Sequence, residues 1–149
     1  MINPAAECVF CRIIRRELPA EILYENENVI SILDINPIHF GHALVIPKTH
    51  CTDFLSIPEA DLSEVLRVAQ IVTRGIVCGL HLEGFNVFSN NGKIAGQSVF
   101  HFHVHITPRY PDDNIKFVLK LKSYKDELLA EYGSKIRSHI PHQPIKKEK

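Results

Sequence analysis

Three histidines alternate with apolar residues in one short stretch, and this pattern constrains the fold more than any other feature of the chain. They stand at His101, His103 and His105, separated by Phe102 and Val104. Successive side chains of a β-strand point to opposite faces, so an extended stretch places the three imidazoles on one face. At about 3.3 Å per residue, the outer two imidazoles are roughly 13 Å apart along the strand. The pattern predicts a strand with a buried apolar face and a chemically active face.

The remaining secondary structure predicts an antiparallel sheet crossed by one long helix. Apolar and β-branched segments bounded by turn residues predict four more strands, at Glu21–Glu25, Val29–Asp34, His42–Ile46 and Phe85–Asn90. Between the last of these and the histidines, two glycines indicate a loop. Apolar residues at helical spacing predict the long helix, with a capping box at Ser56–Glu59 and a stop at Gly79.

The ends of the chain complete an α+β domain of the size expected for 149 residues. Cys8–Ile14 predicts a brief helical turn, and residues from about 113 to 132 predict a C-terminal helix. We therefore expect one domain over 1–132 and a loosely ordered tail over 133–149. Because an open sheet with an apolar helix invites pairing with a second copy, we expect a two-fold homodimer.

Charge and hydropathy exclude several classes of partner. Lys plus Arg equal Asp plus Glu at 17 each, so no overall field favours nucleic acid or an anionic membrane. No apolar run approaches the roughly 20 residues that span a bilayer, and the N-terminus lacks a signal-peptide pattern. We expect a cytoplasmic protein that binds neither nucleic acid nor membrane.

The residues before the histidines suggest what the imidazoles do. Gly96, Gln97 and Ser98 offer backbone donors, a side-chain amide and a hydroxyl, which suit an anion such as phosphate. Imidazole is largely neutral at pH 7 and basic enough to attack phosphorus, and His103 has a titratable neighbour on either side. Two alternatives remain open on these residues alone: a zinc site built by the histidines, and a purely structural role.

Several ordered motifs resemble the histidine triad family of nucleotide hydrolases and transferases. The resemblance extends from about Cys8 to Arg109 and is carried by several elements: His101–Thr107, Asp34–Pro37, Gly41–His50, Asn90-x-Gly92 and Gly96–Val99. It implies a compact α+β homodimer that binds a purine nucleoside monophosphate unit and cleaves the bond from its α-phosphorus to a leaving group.

The same resemblance assigns roles to individual residues. His103 attacks phosphorus to form a nucleotidyl-histidine that water hydrolyses, without a catalytic metal or an organic cofactor. Family positions around the phosphate match Gln97, Ser98, His105 and Asn90, and Asp34 matches the carboxylate that accepts the ribose hydroxyls. The apolar base slot corresponds to Phe10, Ile13, Ile32, Ile35 and Leu44, although for each of them taken alone the protein core is the more common place.

The expected substrates are purine nucleoside 5′-phosphoramidates or related adenylated compounds. Two alternatives use much the same residues. One is a dinucleoside polyphosphate hydrolase, which differs in its leaving group. The other is a nucleotide-binding partner protein with vestigial catalysis, which would not need an intact His103.

A Cys-x-x-Cys pair near the N-terminus predicts a second kind of site. In a reducing compartment, Cys8 and Cys11 are typical of metal binding or redox chemistry. Resemblance to bacterial family members adds His50 and His101, which would complete a closed structural zinc site of two sulfurs and two nitrogens. The alternative is a pair of small buried cysteines.

Overall fold

Five strands form one antiparallel sheet in the computed structural model, which describes residues 7–116 and 118–141. The strands are β1 (Ile22–Glu25), β2 (Val29–Leu33), β3 (Ala43–Pro47), β4 (Gly84–Phe88) and β5 (Val104–Arg109). Their order across the sheet is β1-β2-β3-β5-β4. The predicted five-stranded antiparallel α+β fold is confirmed, and the histidine strand lies inside the sheet between β3 and β4.

The described residues also form three α-helices: α1 (Val9–Ile14), α2 (Glu59–Leu80) and α3 (Leu128–Arg137). The chain divides into two compact units, with the boundary between Asp113 and Asn114. The described part of the first unit contains the sheet, α1 and α2, and that of the second contains α3. Within the described ranges, no helix combines the length and the apolar character needed to cross a membrane.

Two apolar clusters cover the two faces of the sheet. On one face, α2 packs over the sheet through residues at helical spacing: Val65, Val68, Ala69, Val72 and Ile76. Phe102, Val104 and Ile106 belong to that same cluster, as their alternation predicts. On the other face, Phe10 and Ile13 of α1 pack against β2 and β3. The histidines alternate with the α2-facing residues and so belong to the α1 side.

Three element boundaries differ from the predicted ones for local reasons. The long helix has Pro58 at its N-cap with no side-chain cap bond, because the Ser56 hydroxyl is bonded to Asp53 instead. The predicted capping box is therefore wrong. The helix also continues through Gly79 to Leu80 and ends at His81, whose φ of 53° is left-handed.

The fifth strand begins at Val104, later than the alternation predicts. The Phe102 amide donates to the Cys51 carbonyl at 2.7 Å, and the His101 carbonyl accepts from the His103 ring at 2.7 Å. Since these backbone groups have other partners, regular pairing with β3 starts only with Val104 opposite Val45.

The C-terminal helix covers Leu128–Arg137 rather than residues 113–132. Short helices depend on packing of an apolar face, but Val118, Leu119 and Leu121 are exposed. The predicted tail from residue 133 therefore begins inside α3, and its last residues, 142–149, lie outside the described part of the chain.

Candidate active site

A cleft of about 620 Å³ opens on the α1 side of the sheet and contains two of the three histidines. Its walls come from α1, the end of β2, β3, β5 and the loop before the histidines. Of the residues predicted from the sequence, it is lined by His103, His105, Ser98, Asp34, Phe10, Ile13, Ile32, Ile35 and Leu44. The fold thus assembles most of the predicted nucleotide site from five separate segments.

His103 is buried in this cleft with one ring nitrogen already bonded. Its Nδ1 lies 2.7 Å from the His101 carbonyl oxygen, which can only accept, so Nδ1 carries the proton. In the neutral ring, Nε2 then carries a lone pair. Burial lowers the pKa of His103 below its ordinary value, which favours this neutral form. The ring can therefore present an unprotonated nitrogen to a substrate.

His105 has its proton on the other ring nitrogen, Nε2, because His42 donates a hydrogen bond to its Nδ1. The Ile38 amide donates to His42 Nδ1 at 3.1 Å, so the proton of the neutral His42 ring is on Nε2. That nitrogen lies 2.9 Å from His105 Nδ1, to which it donates. Burial lowers the pKa of both rings, that of His105 to about 4. A neutral His105 consequently carries its own proton on Nε2 and can donate it to a ligand.

His42 and Phe88 also contact the cleft histidines. His42 is buried and contacts both His105 and, at 3.6 Å, a carboxylate oxygen of Asp34. Phe88 stacks on His105 with ring centroids 4.7 Å apart. Both contacts depend on β5 lying between β3 and β4, which local sequence does not encode.

Gln97 lies beside the cleft but its amide faces other partners. Its Oε1 accepts from the Gly92 amide at 2.8 Å, and its Nε2 donates to the carbonyls of Thr52 and Val99 at 2.7 and 3.1 Å. Among the described residues that line the cleft, neither Gln97 nor Asn90 is included. Asn90 packs against Gly96, whose added Cβ would lie 3.7 Å from its Nδ2. Gln97 therefore holds the loop that presents Ser98.

The four predicted metal ligands come together next to the cleft. Cys8, Cys11, His50 and His101 each offer one ligand atom, and these atoms lie within 4.8 Å of one another. Cys11 Sγ is 3.3 Å from His50 Nδ1 and 3.5 Å from His101 Nδ1. Tetrahedral zinc with bonds of about 2.0–2.3 Å requires ligand separations of roughly 3.3–3.8 Å.

The protonation of this cluster also suits a cation. His101 Nε2 donates to the Pro47 carbonyl at 2.8 Å, which leaves Nδ1 as the unprotonated nitrogen that faces the thiols. Burial and the adjacent Cys8 raise the pKa of Cys11 to about 11. Because two neighbouring thiolates need a compensating positive charge, the residues fit a zinc ion.

The fold and the cleft together define a class of α+β protein. Its cleft has the size for a small molecule and presents two imidazole groups to it: a lone pair on one ring and an N–H on another. The HIT domain family profile matches residues 15–112. The chain belongs to this family, as the histidine motifs predicted.

Similar proteins include relatives named as an adenylylsulfatase and as an adenosine 5′-monophosphoramidase. The chain is 41% identical over 126 residues to an uncharacterised HIT-like protein of Methanocaldococcus jannaschii, covering 83% of this chain and 97% of the relative. It is 35% identical to an adenylylsulfatase of Arabidopsis thaliana, with 93% and 72% covered. An adenosine 5′-monophosphoramidase of Candida albicans is 41% identical, with 70% and 71% covered.

Solved structures share the fold over nearly the whole chain. A HIT family protein of Bacillus subtilis superposes with a TM-score of 0.87 at 36% identity, covering 92% of this chain and 99% of that one. A zinc-bound histidine triad protein of Mycobacterium smegmatis superposes with a TM-score of 0.71 at 38% identity, with 90% and 98% covered.

Proposed function

We propose that this protein hydrolyses purine nucleoside 5′-phosphoramidates or related adenylated compounds through a nucleotidyl-histidine at His103. The observation that carries the proposal is the His103 ring in the cleft, with Nδ1–H bonded to the His101 carbonyl and Nε2 left unprotonated. The family membership and the relatives named as a monophosphoramidase and an adenylylsulfatase support the reaction class.

The chemistry proceeds in two displacements at the α-phosphorus. Nε2 of His103 attacks phosphorus, a phosphorus–nitrogen bond to the ring forms, and the bond to the leaving amine breaks. Ser98 donates its hydroxyl proton to that amine as the bond breaks, and His105 Nε2–H donates to a phosphate oxygen. Water then attacks phosphorus, one of its protons returns to Ser98, and the phosphorus–nitrogen bond breaks. This step releases the nucleoside monophosphate and regenerates the neutral His103 ring.

The nucleoside occupies the apolar part of the cleft. Asp34 accepts the ribose hydroxyls through its carboxylate, although one oxygen, Oδ1, already accepts from the Asn36 amide at 2.9 Å. We assign the base to an apolar slot lined by Phe10, Ile13, Ile32, Ile35 and Leu44. Gln97 holds the phosphate loop, residues 92–98, through three hydrogen bonds. Asn90 is assigned to contact phosphate from the neighbouring strand.

Replacement of the nucleophile tests the proposal. His103→Ala is expected to abolish turnover of an adenosine phosphoramidate while adenosine monophosphate affinity stays within an order of magnitude. His81→Asn, at the exposed end of α2, is the matched control. Quenched wild-type reactions should contain a nucleotide adduct that peptide mapping places on His103. Retained turnover by His103→Ala would refute the covalent mechanism.

A substrate panel separates the alternatives. Phosphoramidates and adenosine 5′-phosphosulfate should react faster than dinucleoside polyphosphates. Preference for dinucleoside polyphosphates would favour the polyphosphate hydrolase instead. Nucleotide binding without turnover of any compound would favour a binding protein with vestigial catalysis.

We also propose a structural zinc bound by Cys8, Cys11, His50 and His101, in a protein of the reducing cytoplasm. The ligand separations and the fixed His101 tautomer support this assignment, and the metal would tie α1 to the loop before β5. Elemental analysis should find about one zinc per chain in wild-type protein and in the Cys78→Ser control. Zinc absent from the wild type, or unchanged in Cys8→Ser, would contradict the site.

We propose that β4 pairs with a second copy of the chain. It is an edge strand, and its outward residues Phe85 and Val87 are about half exposed. Beside them lies an apolar groove of about 510 Å³ against α2, which includes Leu66 and Val77. Light scattering should give twice 17.0 kDa, and Val87→Lys should lower this mass. A wild-type monomer would refute the dimer.

A further inference from the structure

One side chain of α1 contacts both the cleft and the group of Cys8, Cys11, His50 and His101, which form a Cys/His cluster. Phe10 lies between Cys8 and Cys11 and is only 6% exposed. Its ring centroid is 5.8 Å from that of His101 and 5.0 Å from that of His103, at interplanar angles of 78° and 70°. Aromatic rings at such distances and angles prefer this edge-to-face arrangement, which fixes their relative orientation.

A second connection runs through the main chain. The His101 side chain belongs to the Cys/His cluster, and the carbonyl of the same residue accepts the Nδ1 proton of His103. His50, another member, precedes Cys51 and Thr52, whose carbonyls accept from the Phe102 amide and the Gln97 side chain. The cluster therefore borders segments that position both His103 and the phosphate loop.

The helix that carries Phe10 has little stability of its own. Its six residues are fewer than an isolated helix needs, and its N-cap Cys8 makes no side-chain cap bond. Two kinds of contact hold it: the packing of Phe10 and Ile13 on β2 and β3, and the approach of both thiols to the histidines. Loss of the second kind of contact leaves the segment that carries Phe10 held by apolar packing.

We propose that Phe10 is a positioning residue for the nucleophile, which transmits the geometry of the Cys/His cluster to His103. This inference rests on the proposed function of His103. When all four side chains of the cluster are held together, Phe10 holds the His103 ring edge-on and keeps its Nδ1 on the His101 carbonyl. When the cluster is released, the ring reorients and attack slows, although the nucleoside still binds in the cleft.

Pre-steady-state burst kinetics test the proposal with matched variants. Wild type, Phe10→Leu and the exposed control Phe40→Leu are mixed with excess adenosine phosphoramidate, and adduct formation on His103 is timed. A misplacement of about 1 Å lowers a rate by on the order of 100-fold, so Phe10→Leu should lose roughly 10- to 100-fold. Its affinity for adenosine monophosphate should fall less than tenfold, and Phe40→Leu should match the wild type.

Metal removal should act through the same residue. Treatment of the wild type with EDTA should slow adduct formation as much as Phe10→Leu does. The same treatment of Phe10→Leu should add little, because two perturbations of one pathway are not additive. Added zinc ions should restore the wild type only.

A structural readout is independent of activity. Ring protons of Phe10 and His103 should show a nuclear Overhauser effect in zinc-loaded wild type and lose it after EDTA, with circular dichroism confirming that the fold persists. Absence of any adduct on wild-type His103 would refute the proposed function. Normal adduct formation in zinc-loaded Phe10→Leu, or an Overhauser effect that survives EDTA, would refute this inference alone.

Discussion

Replacement of Gln97 by glutamate tests whether this side chain holds the phosphate loop or contacts phosphate. The substitution is nearly isosteric and replaces the Nε2 donor by an oxygen. In the structure, that donor serves the carbonyls of Thr52 and Val99, while Oε1 accepts from the Gly92 amide. Gln97 itself is only 4% exposed. The variant therefore removes two hydrogen bonds and places an acceptor against two carbonyl oxygens.

The loss of stability in Gln97→Glu can be worked out from the two hydrogen bonds that the variant removes. A net hydrogen bond contributes about 1 kcal/mol, and a buried acceptor left unpaired costs about 1–3 kcal/mol. Because the two carbonyls are partly buried, we expect the free energy of unfolding to fall by about 2–4 kcal/mol. For a chain of this size, 1 kcal/mol corresponds to roughly 2–4 °C in Tm, so Tm should fall by about 4–16 °C.

Thermal unfolding and nucleotide binding together separate the two roles. Calorimetry should show the lower Tm for Gln97→Glu, whereas the exposed control Asn28→Asp, with the same chemical change, should stay within about 1 °C. Adenosine monophosphate should bind with only modestly reduced affinity at a temperature where the variant is folded. An unchanged Tm combined with a tenfold or greater loss of affinity for adenosine monophosphate would refute the loop-holding role. It would favour direct contact between Gln97 and phosphate instead.

Three further predictions concern protonation, metal and backbone. Burial first, then His103 and His42, lower the pKa of His105 to about 4, opposed by Asp34. In the unfolded chain the imidazole has a pKa of about 6.5, so between pH 6.5 and 4 the unfolded state binds a proton that the folded state does not. The free energy of unfolding should therefore fall over this pH range, and urea denaturation at a series of pH values that shows no fall would contradict this. Chelation of zinc should lower the free energy of unfolding by roughly 3–4 kcal/mol, compared with protein in free zinc at 100 to 1,000 times its Kd. Urea denaturation measures this difference, and equal midpoints with and without chelator would argue against zinc binding to the folded protein. Gly41→Ala should destabilise by about 1–2 kcal/mol, because φ is +86° and the new Cβ would lie 2.6 Å from Leu80 Cδ1. Gly75→Ala, with no atom near its Cβ, should stabilise by about 0.5–1 kcal/mol, and the reverse order in thermal melts would refute both assignments.

The elements that could be predicted from sequence are those whose signal is local. Alternation over Phe102–Ile106 identified the face that packs beneath α2, and apolar spacing identified α2 itself. Turn residues Asn26, Glu27 and Asn28 stand between β1 and β2, and in the structure Asn26 Oδ1 accepts from the amides of Asn28 and Val29. These features depend on strand and helix periodicity and on turn chemistry, which neighbouring residues specify.

Element boundaries were less predictable because distant partners compete for the same groups. Ser56 bonds Asp53 and leaves the helix N-terminus to Pro58, while Cys51 takes the Phe102 amide and delays the start of β5. The C-terminal helix starts later than its apolar residues suggest, because Val118 and Leu119 remain exposed. Periodicity alone does not show which face another element will cover.

The sequence by itself determined the sheet, the long helix, the apolar face of the histidine stretch and the family. The resemblance already joined His101 to the two cysteines, but only the tertiary structure decided the proton positions: His103 keeps an unprotonated Nε2, and His105 accepts from His42. For His103 the partner is the carbonyl of His101, two residues away. For His105 the physical reason is strand order: with β5 beside β3, the ring meets His42, and that contact fixes which nitrogen of His105 carries its proton.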